Sequence, residues 1–188
     1  YYHSSLWLPA NDILELISIV IAALLTQQPM YFIIGLPVDG SAWARYLLAL
    51  FALISTFITT SLAISAVVPS FVFSQLVLGV YFCLGFVMSG LALPYPTIKA
   101  GYKWLYRGLT LGYSLEAVVN AVFGNNETII TVYSNGMQVV TTVKDFVASY
   151  IGIQYGDYWM ALMWVLVYNL VMIFIAAVGN TFLRFIKK

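Results

Sequence analysis

Glu116 is the one carboxylate set inside an otherwise apolar stretch, and it is the first residue to weigh as a proton carrier or substrate contact. An unpaired buried carboxylate is costly, so a structural bond to backbone or to Arg107 is the favoured reading of it. His3 is the only histidine and has no partner for metal or triad chemistry. Cys83 is the only cysteine, which excludes an intrachain disulfide and a thiolate metal cluster. In the middle of a hydrophobic run it reads as a small buried apolar residue. Lys99, Lys103 and Arg107 recur at fourfold spacing beside Tyr102, Trp104 and Tyr106. That cationic and aromatic mixture suits the headgroup level of a bilayer. Asn126-Glu-Thr128 is a glycosylation sequon. No Gly-rich loop carries the Lys-Ser/Thr pair that cradles phosphates, so this chain does not itself hydrolyse ATP.

The elements that position these groups are written in the charge pattern. Of 188 residues, 62% are hydrophobic and 8% charged, against roughly 25% charged in soluble domains. A net charge of +1 provides no basic field for nucleic acid, and the expected partner is the lipid bilayer. Between Arg45 and Lys99 no Asp, Glu, Lys or Arg occurs. A helix crosses the hydrocarbon core in roughly 20 residues, so that stretch holds two spans and their turn.

Four membrane helices are predicted, near 13–36, 46–68, 71–93 and 158–183. Asn11 or Asp12 can cap the first, Glu15 stands at capping-box spacing from Asp12, and Pro29 should kink it. The second is rich in small and hydroxyl residues, Ser55, Thr56, Thr59, Thr60, Ala63 and Ala66 among them, which lets backbones approach in lipid. No ionisable residue sits at the centre of any span, where proton relays and ion-coupled carriers normally need one.

Residues 94–157 form the only sizeable loop. Leu109–Phe123 is too short for a comfortable span and reads as a re-entrant or interfacial helix. Residues 128–143 place two β-branched runs around Asn135-Gly136, a strong hairpin signal. The fold class expected is therefore all-α membrane, with four spans, re-entrant or interfacial helices and a small extracellular β-hairpin. Four spans put both termini on one side. Arg184, Lys187 and Lys188 against Arg45 alone favour the cytoplasm, which leaves the sequon outside. The chain begins at Tyr1 without a signal peptide and reads as a piece of something larger.

Several linked segments carry a family resemblance: PMYFIIGLP closing the first span, FVMSGLALPYPTIKAGYKWLYRGLTLGYSLEAVVNAVFG, and FLRFIKK at the end. Ser89-Gly90, Lys103-Trp104-Leu105-Tyr106, Tyr113-Ser-Leu-Glu116 and Phe123-Gly124 are the specific parts. Together they resemble the second half of the transmembrane domain of G-subfamily ABC transporters, the type with a pleiotropic-drug-resistance branch. The resemblance implies that the four spans are the third to sixth of six helices. It further implies ATP-driven export of drugs or lipids at the plasma membrane, through a cavity between two such domains. The partners implied are the first two helices, a nucleotide-binding domain carrying ATP and Mg, and a second transmembrane domain. Cavity positions implied by the alignment are Gly79, Phe82, Cys83 and Phe86, with Leu91 at the constriction above.

Two departures from the family stand out. Leu91-Ala92 keeps one leucine where many animal members have two, and the long loop lacks the cysteines that staple it in many relatives. The competing readings are a non-transporting four-span scaffold, an intramembrane enzyme, and the permease subunit of another ABC exporter with its ATPase on a separate chain. Scaffolds of the tetraspanin kind depend on loop cysteines, and no catalytic pair is present for the enzyme.

Overall fold

The computed structural model describes residues 14, 17–18, 21–22, 25–36, 39–90, 92–124, 126–134, 137–152 and 158–182. Among the described residues, helices and one hairpin follow one another from residue 40: α1 Gly40–Val67, α2 Phe71–Met88, α3 Lys103–Gly108, α4 Thr110–Phe123, β1 Ile129–Ser134, β2 Met137–Thr142, α5 Val143–Ile151 and α6 Tyr158–Phe182. Two short 3₁₀ turns, Tyr95–Thr97 and Ala100–Tyr102, lead into α3. Of these helices, α1, α2 and α6 are long and apolar enough to cross a membrane. The stretch 13–36 lies partly outside the described residues; within it, residues 25–33 are helical.

The helix bounds depart from the hydropathy reading at identifiable residues. α1 begins at Gly40 rather than near Tyr46: Asp39 is still extended, with φ −94° and ψ 126°, and the helix starts at the next residue, five positions before the charge of Arg45. The Trp43 N–H already donates to the Asp39 carbonyl at 2.9 Å. α2 ends at Met88, not at residue 93, since Gly90 turns the chain with φ +94°. Side chains rarely adopt that conformation, and glycine adopts it freely.

α1 and α6 form the central pair. On α1 the shared surface is built of small residues, Ala52, Ala63 and Ala66, which meet Leu162, Val165 and Ala176 of α6. Hydroxyl and amide groups join the helices where apolar attraction cannot, since lipid tails are as apolar as leucine. Thr59 Oγ1 donates to Asn169 Oδ1 at 3.0 Å, and both residues are buried. Tyr168 Oη lies 2.5 Å from Tyr81 Oη on α2 and 3.4 Å from Thr60 Oγ1 on α1. A double-mutant cycle of Thr59→Val and Asn169→Leu, read by thermal unfolding of the full-length protein, is expected to give about 0.6 kcal/mol of coupling and no more than ~1.7. Additive losses would show that the pair contributes nothing to helix association.

α4 is buried against both members of that pair. Its Ala117, Ala121 and Val122 pack with Tyr46, Ala49 and Leu50 of α1 and with Tyr158 and Ala161 of α6. Tyr31, from residues 25–33, is buried in the same cluster. The expected helix over 109–123 is present as α4, enclosed by its neighbours on more than one side. By contrast α2 buries only Ser74 and Gly85 within this chain.

The hairpin pairs antiparallel, from Ile129 opposite Thr142 to Ser134 opposite Met137, and that register leaves two residues between the strands. The Asn135-Gly136 turn itself lies outside the described residues. Strand β2 runs directly into α5, a helix absent from the hydropathy reading. Thr142 Oγ1 accepts from the Asp145 N–H at 3.1 Å and donates to Asp145 Oδ2 at 2.7 Å, and Gly152 closes the helix with φ +81°. Thr-x-x-Asp followed by glycine is a capping signal present in the sequence.

Candidate functional site

A groove of about 370 Å³ lies between α1, α2 and α4. Leu50, Leu53 and Phe57 of α1 form one wall, Phe82 and Phe86 of α2 another, and Leu111, Leu115 and Val118 of α4 the third. Ser89 stands at its end, with its hydroxyl donating to the Phe86 carbonyl at 2.8 Å. Among the described residues, no charged side chain lines it. Phe57 and Phe82 are in ring contact, with centroids 4.5 Å apart and planes tilted by 38°. The α2–α4 wall closes tightly because Gly85 lets Leu111 approach: a Cβ there would fall 2.5 Å from Leu111 Cδ1.

Of the residues singled out by resemblance, the structure brings Phe82 and Phe86 into this groove. Gly79, Phe82, Cys83 and Phe86 follow i, i+3, i+4, i+7 spacing and so share one stripe of α2. Gly79 and Cys83 are not groove residues. Gly79 is exposed with nothing within 4 Å of its Cβ position. Cys83 is a free, exposed thiol, which corrects its reading as a buried residue: α2 buries only Ser74 and Gly85 against this chain. Leu91 lies outside the described residues. Sequence reasoning misses Phe57. Its signal would be the single aromatic among the small and hydroxyl residues of α1 between Ala52 and Ala66. Glu116 is half-buried on α4 and has an interaction partner, so it is not a bare carboxylate.

A second concave region occupies the other end of α4, where the bundle meets the hairpin. About 340 Å³ is enclosed by Asp39, Ala42, Arg45, Ala121, Val122, Asn126 and Thr128. Ser41 links the two charges, donating from Oγ to Asp39 Oδ2 at 2.6 Å and accepting from Arg45 Nη2 at 3.2 Å. The Ser41 hydroxyl is the main reason that the Asp39 carboxyl sits below the ordinary carboxylate range, and Arg45 adds to it. Asn126 Oδ1 accepts from the Thr128 N–H at 3.0 Å, which turns the chain into β1.

Three apolar helices of spanning length, tied by intramembrane hydroxyl and amide contacts, define an integral membrane protein. The family model described as ABC-2 type transporter matches residues 1–123, and the chain belongs to that family. It is similar to ABC transporter G family member 41 of Oryza sativa subsp. japonica, 24% identical over 136 residues that make up 69% of this chain. The chain spans 9% of the length of that relative. Both findings support the resemblance to a G-subfamily transmembrane domain.

Proposed function

We propose that this chain forms the third to sixth membrane helices of an ATP-driven exporter of hydrophobic compounds, drugs or lipids, and lines part of the substrate path. The observation that carries the reading is the groove between α1, α2 and α4, apolar and aromatic along its walls, in a member of the ABC-2 family. Residues 13–36 supply the first of its four spans, both termini face the cytoplasm, and the hairpin stands outside the plasma membrane.

The energy enters from a nucleotide-binding domain of the parent protein. The Gly-rich loop with the Lys-Ser/Thr pair that cradles nucleotide phosphates does not occur in this chain's sequence. The first two helices and a second transmembrane domain complete the cavity. In vesicles holding only this chain, no ATP hydrolysis is expected, and a proton or sodium gradient should drive no substrate uptake. Gradient-driven uptake would overturn the reading, because no acid sits at the centre of any predicted span to couple it.

The site is tested by Phe86→Ala in the full-length transporter, with export of several hydrophobic compounds normalised to surface expression. Aromatic contacts contribute beyond area burial, so relative export should change by roughly two- to tenfold among substrates without being abolished. Phe73 is exposed on α2 away from the groove and serves as the control. An unchanged profile for Phe86→Ala, or an equal change for Phe73→Ala, would refute the assignment.

A further inference from the structure

The concave region at the hairpin end of the bundle has no part in the apolar path. Its depth in the membrane follows from its neighbours. Helix α1 has 28 residues and is therefore about 42 Å long, which exceeds the roughly 30 Å hydrocarbon core. Its first turns carry Trp43 and Tyr46, and α6 begins beside them with Tyr158 and Trp159. The Tyr158 hydroxyl donates to the Arg45 carbonyl at 2.8 Å, so both helix starts lie at one level. Tyrosine and tryptophan gather at the headgroup level.

Arg45 reaches into this region with its donors only partly used. Nε and Nη2 bond Ser41 at 3.3 and 3.2 Å, which leaves Nη1 without a partner among the described residues. Asp39 uses Oδ2 toward Ser41. A guanidinium and a carboxylate joined through one hydroxyl face a space walled by Ala42, Ala121 and Val122. We infer that this region binds the headgroup of a zwitterionic phospholipid, with Arg45 on the phosphate and Asp39 on the ammonium. The paired charges cancel, so an anionic lipid gains less there than a lipid carrying both signs.

The test uses the full-length protein, stripped of lipid in detergent and titrated in native mass spectrometry. Phosphatidylethanolamine, phosphatidylglycerol and inorganic phosphate are the probes. Retained phosphatidylethanolamine should fall roughly tenfold in Arg45→Gln, the loss of a charge-assisted contact, and stay near the wild-type level in Arg45→Lys. Asp39→Asn should reverse the preference, retaining more phosphatidylglycerol than phosphatidylethanolamine. Asp39 is exposed, so this second variant gives an answer even if Arg45→Gln folds poorly. Equal retention in the wild type and Asp39→Asn would overturn the proposal. Displacement of phosphatidylethanolamine by an equal concentration of inorganic phosphate would also overturn it, in favour of a free-anion site.

Discussion

Gly179→Leu is expected to abolish folding of the membrane domain, a far larger effect than the loss of any one hydrogen bond between its helices. A Cβ at residue 179 would stand 3.0 Å from both the Cβ and the carbonyl oxygen of Ala66. The second of these is backbone of α1, which cannot rotate away. Ala at this position must therefore push the central helices apart by a few tenths of an ångström, at a cost of about 1 kcal/mol. Leucine should cost ~3 kcal/mol or more, a large fraction of the stability of an ordinary domain. Thermal unfolding of the full-length protein, followed by size-exclusion chromatography, measures both. Ala66→Gly should not rescue Gly179→Leu, because the carbonyl oxygen of residue 66 stays where it is. Rescue by that change, or a folded Gly179→Leu protein of normal stability, would show that α1 and α6 are not held this close.

Gly85→Leu should have its largest effect on transport. Here the neighbour is Leu111 Cδ1, the free end of a side chain that can turn. Leu111 lines the groove, so the space into which it turns is the proposed substrate path. Overpacking of about 1–3 kcal/mol, taken up in the groove, predicts roughly tenfold lower export of the bulkier substrates. Leu111→Ala in the same protein should restore most of the loss. The two glycines thus make opposite predictions about rescue, one facing backbone and the other a rotatable side chain. A double variant as impaired as Gly85→Leu alone would place the damage outside the groove.

Much of this fold is legible in the sequence because hydropathy and turn chemistry are local properties. The paired strands follow from β-branched runs on either side of Asn135-Gly136. The helix over Thr110–Phe123 is visible, and its enclosure between α1 and α6 is not, because its small buried residues Ala117 and Ala121 announce closeness without naming a partner. Boundaries fail where a local geometric rule competes with apolarity. Leu91-Ala-Leu93 looks like helix, but Gly90 has already turned the chain. Helix α5 is hidden for the converse reason: its Thr142–Asp145 cap is polar, and the segment reads as part of a loop. The groove is half legible. Phe82 and Phe86 come from alignment with a family, whereas Phe57 belongs to a different helix and joins them only through tertiary packing.

The early end of α2 constrains what can surround it. Eighteen residues make a rod of about 27 Å, a little short of the hydrocarbon thickness. The chain then turns at Gly90, and Ala92 and Leu93 beyond the turn are exposed. Peptide groups outside a helix have no partners in hydrocarbon, and each would cost several kcal/mol if lipid reached it. Acyl chains must therefore be kept off this bend, by water drawn down from the surface or by another polypeptide. At this end of the groove the bilayer must then give way to a hydrated or protein-lined opening, and on the proposed path a hydrophobic cargo would meet its first water beside the Gly90 bend.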